Sequence, residues 1–148
     1  MTERAIKIRM ANEQRFPHGR GSGNASLFYM MNDVILKRFD APDEVREFEK
    51  GKFELLHIGG MTIGRATYAP GWKWSVHVGP LVGKKSCDVE HVGMVVSGRA
   101  VAAMDDGRVI EMKAGDVFYI GPGHDSWVVG DQPYISIHFL GAGEYAKH

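Results

Sequence analysis

The sequence predicts an all-β domain, a sandwich or small barrel, and three observations carry that expectation. Glycine is abundant: 19 of 148 residues, about 13% against a usual ~7%. Without a collagen-like period, such enrichment reads as many tight turns, because glycine takes positive φ at no steric cost. Apolar, partly β-branched segments of four to eight residues also recur from Phe53 onward, bounded by Gly, Pro and Asp. Finally, Asp105-Asp106-Gly107 stands between two such segments, a strong hairpin signal.

The elements follow in order. Residues 1–40 read as an N-terminal extension, with a short strand at Ile6–Met10 and a flexible loop by composition from His18 to Asn24. The apolar run Leu27–Leu36 fits a buried strand or a short helix, since periodicity does not separate the two. The β domain is expected over 41–148. It opens with one short helix, about Pro42 to Lys50: Asp40 supplies an N-cap, the first turn is acidic, and Gly51 offers a stop. Strands are then expected at Phe53–Ile58, Met61–Tyr68, Trp72–Val78, His91–Ser97, Ala100–Met104, Val109–Met112, Val117–Ile120, Trp127–Gly130 and Tyr134–Leu140.

Charge and composition remove several function classes. Eighteen basic against eighteen acidic residues leave no basic surplus for coating nucleic acid or an anionic membrane. A 44% apolar content argues against disorder. The charged N-terminus has no apolar core of a signal peptide, and no uncharged run approaches the ~20 residues of a membrane-spanning helix. A single cysteine, Cys87, forms no internal disulfide and suits a reducing compartment. The expectation is a soluble cytoplasmic protein. No GxSxG elbow, HExxH helix, CxxC pair or phosphate-binding glycine motif occurs.

Seven histidines are present. His18 lies in the loop region and His148 at the end, while His57 and His138 sit within apolar strands with nothing beside them to suggest a site. His77, His91 and His124 differ, because each stands at a strand edge next to a turn, where a small barrel lets side chains converge. Three converging imidazoles make a metal site with positions left for water or substrate. Cys87, four residues before His91, reads as a small buried hydrophobe; as a thiolate it would draw the site toward a thiophilic metal. Asp125 is a candidate to orient the His124 imidazole.

The stretch Pro70–Trp127 resembles the cupins, small β-barrels of the jelly-roll type. Their first motif runs Gly, five residues, His-x-His, a spacer, Glu, six residues, Gly. Here Gly71 and WKWSV precede His77, the second histidine position holds Gly79, and counting back from Gly98 puts His91 at the glutamate position. The second motif is matched by Gly115-Asp116, then Ile120-Gly121-Pro122-Gly123, with Ser126 at the final histidine position and His124 two residues earlier on the same side of an extended strand.

The resemblance implies a jelly-roll barrel binding a divalent transition metal (Zn, Fe, Mn or Ni) through His77, His91 and His124, with isomerase, dioxygenase or lyase-like chemistry on a small molecule. A metal-free alternative uses His77 or His91 as general base with Tyr119 or Tyr68 as proton donor. A third reading is a non-enzymatic binding or sensor module. Strand parity puts Trp72, Trp74, Val76 and Val78 on the face opposite His77. That apolar row would need cover, so a homodimer is expected, as the resemblance also implies.

Overall fold

A computed structural model of the protein describes residues 33–148. The expected strand at Ile6–Met10, the loop at His18–Asn24 and most of the Leu27–Leu36 run lie outside the described residues. The last residues of that run, 33–36, form no regular element. Every element below belongs to one compact unit, Ile35–His148.

Nine antiparallel strands build two sheets among the described residues. The strands are β1 (Glu44–Phe48), β2 (Gly51–Ile58), β3 (Met61–Tyr68), β4 (His91–Ser97), β5 (Arg99–Met104), β6 (Val109–Lys113), β7 (Val117–Ile120), β8 (His124–Val128) and β9 (Tyr134–Leu140). Two single-turn helices, α1 (Trp74–His77) and α2 (Gly79–Val82), lie between β3 and β4. One sheet has the order β1-β2-β3-β9-β4-β7 and the other β6-β5-β8. The inner faces of both line one cavity, so the expected all-β, jelly-roll architecture holds. The Asp-Gly hairpin forms between β5 and β6, with Gly107 at φ 94° and the Met104 N–H donating to the Arg108 carbonyl (2.8 Å).

Period-two alternation sets the inner face of the large sheet. Phe53 pairs with Ala66, Ala66 with Ser136 and Ser136 with Val95, all buried. The adjacent row runs Gly64, His138, Gly93, Phe118. Gly93 must lack a side chain: a Cβ there would lie 2.5 Å from the Ile137 carbonyl oxygen and 2.6 Å from Cζ of Phe118. That bare position lets the Phe118 ring approach the His138 imidazole across β4, at 5.6 Å between centroids.

Two expectations fail, one to strand pairing and one to core packing. The helix over Pro42–Lys50 is instead strand β1. Its start is tied to β2: the Asp43 N–H donates to the Leu55 carbonyl (2.9 Å), and the Asp43 carboxylate accepts the His57 N–H (2.7 Å). A nine-residue helix is marginal in isolation, and a paired edge strand satisfies the same backbone groups with tertiary support. The strand over Trp72–Val78 is instead a turn leading into α1. The His77 N–H donates to the Lys73 carbonyl (2.9 Å), and the Asp125 carboxylate accepts the Ser75 N–H (3.0 Å) and Ser75 hydroxyl (2.8 Å). Coiling brings Trp72, Trp74 and Val78 into the core, where Trp72 stacks on Tyr68 at 3.7 Å. The apolar row expected to face a partner subunit is therefore interior, except Val76. Strand β8 also begins earlier than expected, at His124, because it pairs with Met104 of β5. Among the described residues no helix is long and apolar enough to cross a membrane.

Candidate metal centre

Three side chains from distant parts of the chain converge at one end of the inner face. Cys87, in the segment leading to β4, makes a backbone bridge to His124, the first residue of β8. The Cys87 N–H donates to the His124 carbonyl (2.8 Å), and the Gly123 N–H donates back to the Cys87 carbonyl (2.8 Å). Gly123 adopts φ 85°, a conformation that favours glycine. His91 opens β4 opposite Ile120. One ligand atom from each of Cys87, His91 and His124 lies within 4.8 Å of the others, and all three residues are at least 97% buried.

The geometry and donor chemistry fit a transition metal. Cys87 Sγ and His91 Nε2 are 3.6 Å apart, close to the ~3.6 Å that Zn–S and Zn–N bonds of ordinary length impose in a tetrahedron. His124 Nδ1 lies 2.7 Å from the Gly121 carbonyl. A carbonyl only accepts, so Nδ1 carries the proton and Nε2 keeps its lone pair. This second hydrogen bond is how ligating imidazoles are usually oriented. Asp125, the sequence candidate for that task, instead caps α1 and pairs with Lys73 (3.6 Å).

Burial keeps the cluster uncharged. It pushes the Cys87 thiol up to about 11. It also holds His91 down to about 2, with His138 and His124 adding to the effect, and lowers His124 against the opposing pull of the Gly121 carbonyl. These groups do not hold a proton's charge at neutral pH, but their lone pairs are what a cation needs. The His91 Nδ1 atom is buried without a hydrogen-bond partner.

Beside the cluster is a cavity of about 40 Å³, lined from both sheets by residues including Tyr68, Trp72, Ser126, Tyr134, Ser136, His138 and Tyr145. The Tyr68 and Tyr145 hydroxyls hydrogen-bond each other (2.8 Å), which uses one of their two protons and leaves the other free of the pair. The Tyr145 ring lies 5.3 Å from His91. Arg46 anchors the segment carrying it by donating to the Tyr145 carbonyl (2.5 Å). His138 contacts Ser136 Oγ through Nε2 (3.0 Å), and burial drives it down to about 4.

Of the expected site residues, His91 and His124 come together and His77 does not join them. The His77 Nδ1 accepts the Lys73 N–H (2.9 Å), so its imidazole is engaged by its own helical turn. Tyr119 faces outward, 64% exposed, and donates to Glu90 (2.8 Å); it is no interior proton donor. Sequence reading weighs Cys87 as a thiolate ligand but prefers a small buried hydrophobe, and it passes over His138 and Tyr145. The inward parity of Tyr134, Ser136 and His138 on β9 was a signal for His138. Tyr145 lies outside any strand and offered none.

Solved structures share this fold. A structural-genomics protein of unknown function from Rhizobium leguminosarum bv. viciae 3841 aligns at TM-score 0.53 and 17% identity, over 72% of this chain and 94% of that one. A point mutant of Bacillus subtilis oxalate decarboxylase aligns at TM-score 0.50 and 22% identity, over 67% of this chain. That alignment spans 28% of the decarboxylase chain. These likenesses bear on architecture, and the chain has a cupin-type fold. No family model and no curated protein matches it.

Proposed function

We propose that this chain is a metal-binding cupin, holding one divalent transition metal on Cys87, His91 and His124 and acting on a small molecule in the adjoining cavity. The observation that carries the reading is the convergence of a buried thiol and two neutral imidazoles beside a cavity. Three protein ligands with open space next to them are the pattern of a catalytic rather than a structural site. A bound metal would supply Lewis acidity, polarising a ligand's oxygen or lowering the pKa of bound water. Cys87 takes the place that His77 was expected to fill, and a thiolate favours zinc or another thiophilic metal over manganese.

The chain's own residues divide the remaining work. Gly121 fixes the His124 ring through its carbonyl. The Tyr68–Tyr145 hydroxyl pair uses one proton internally and keeps the other for a bound molecule, so this pair replaces Tyr119 as the candidate donor. The metal-free alternative is weaker, because an imidazole held near 2 is a poor base at neutral pH. Isomerase, dioxygenase and lyase-like reactions all remain compatible with this assignment. A reducing, cytoplasmic setting suits a free thiol ligand. A homodimer stays part of the proposal on new grounds: Met94, Val96, Val117 and Tyr119 make an exposed apolar outer face on β4 and β7 that a second copy would cover.

The test is metal content of the full chain after loading under reducing conditions, beside Cys87→Ser, His91→Ala, His124→Ala and His77→Ala. Near-stoichiometric metal is expected in the parent and in His77→Ala, with loss in the other three. Metal retained by Cys87→Ser and lost by His77→Ala would overturn the assignment.

A further inference from the structure

The walls of the cavity carry a constraint on what the site can take. Their ionisable side chains are tyrosines and histidines; no Lys, Arg, Asp or Glu lines the space. The formal charges nearby are engaged elsewhere. Arg46 is held by Glu44 and by the Ala142 and Tyr145 carbonyls, Lys73 by Asp125, and Glu90 by Tyr119. The carboxylates of Asp105 and Asp125 are the acids whose field reaches His124. Resting on the metal assignment above, the charge balance is simple. A divalent ion bound by one thiolate and two neutral imidazoles carries a net charge of one positive unit, in surroundings that offer no second cation.

From this balance we infer that the site takes a small monoanion, or an uncharged molecule of similar size, and rejects dicarboxylates. One negative charge neutralises the buried centre. A second would leave an uncompensated charge in a cavity whose lining offers no cation to pair with it, which is costly in proportion to its desolvation. Size acts in the same direction. About 40 Å³ of free space holds roughly three water-sized groups, enough for azide or formate and short of the six heavy atoms of oxalate. Donors lining the space include the paired Tyr68 and Tyr145 hydroxyls, which share one of their two protons, and the Trp72 Nε1–H, which is buried without a hydrogen-bond partner.

The experiment uses the full chain loaded with Co(II), read by its visible d–d bands and near-ultraviolet thiolate-to-cobalt charge-transfer band. Azide, formate and oxalate are titrated separately, oxalate below the concentration at which it extracts cobalt. Azide and formate are expected to shift the d–d bands saturably while the thiolate band persists, and oxalate to leave both unchanged. Tyr145→Phe should weaken azide about tenfold, the loss of one hydrogen bond to a charged group. If oxalate binds as well as azide, or azide leaves the bands unmoved, the selectivity inference is wrong although the metal assignment stands. If the thiolate band never forms, or survives in Cys87→Ser, the metal assignment itself is wrong.

Discussion

His77 and Cys87 stand ten residues apart in the connection between β3 and β4, and the fold uses them in opposite ways. The His77 segment coils into a single helical turn, and its imidazole accepts a hydrogen bond from Lys73 within that turn. The Cys87 segment is extended and pairs with His124 across a gap of 37 positions, which turns its thiol toward His91. A motif position is thus no guarantee of a role. What decides is whether the lone pair is consumed locally or delivered, by long-range backbone pairing, to a place where others converge.

The largest effect that would break this comparison is on metal affinity. Cys87→Ser or His124→Ala should lower it by more than about 100-fold, since first-sphere loss exceeds the 10–100-fold typical of second-sphere changes. His77→Ala should leave it within experimental error. Equal losses in competition titrations across all three variants would erase the distinction.

Next comes pH. In the metal-free protein His138 titrates at about 4 when folded, against 6.5 when free, so the unfolded chain binds the extra proton. The contribution of His138 is therefore full above pH 6.5 and declines as pH falls toward 4, by about 3 kcal/mol at ~1.4 kcal/mol per unit, and the lowered His91 and His124 act in the same direction. Denaturant titrations at several pH values should show this slope in His77→Ala and a flatter one in His138→Leu. A parent protein whose stability is unchanged between pH 7 and 4 would count against a buried neutral His138.

Gly93→Ala sharpens the comparison from the backbone side. Its Cβ would press on the Ile137 carbonyl and the Phe118 ring, at a cost of about 1–3 kcal/mol. The shift should appear in thermal unfolding, with weaker metal binding because His91 lies two residues away. The smallest effect is expected from Asp125→Ala, which removes the carboxylate holding Ser75 and Lys73. It should destabilise by about 1 kcal/mol, with metal affinity unchanged; a marked loss of metal there would return Asp125 to the role of imidazole orienter.

Much of the architecture was legible in the residues. Met61–Tyr68, His91–Ser97, Val117–Ile120 and Tyr134–Leu140 begin and end where their alternation and flanking turn residues place them. The Asp-Gly hairpin and the shared side of His124 and Ser126 were equally readable, because both depend on neighbours in the chain. Pro42–Lys50 and Trp72–Val78 were misread because their local signals were sound but outweighed. The helix start at Asp40-Ala-Pro lost to a ladder with β2, and the alternation around Trp74 lost to burial of two indoles.

By itself the sequence determined the all-β class, most strand positions, and His91 and His124 as candidate ligands, since period-two patterning and turn chemistry act over a few residues. The tertiary structure alone decided that Cys87 rather than His77 completes the cluster, and that Tyr145 and His138 share its cavity. Those choices depend on which strands pair across dozens of residues and which lone pairs that pairing leaves free, and no local pattern encodes either.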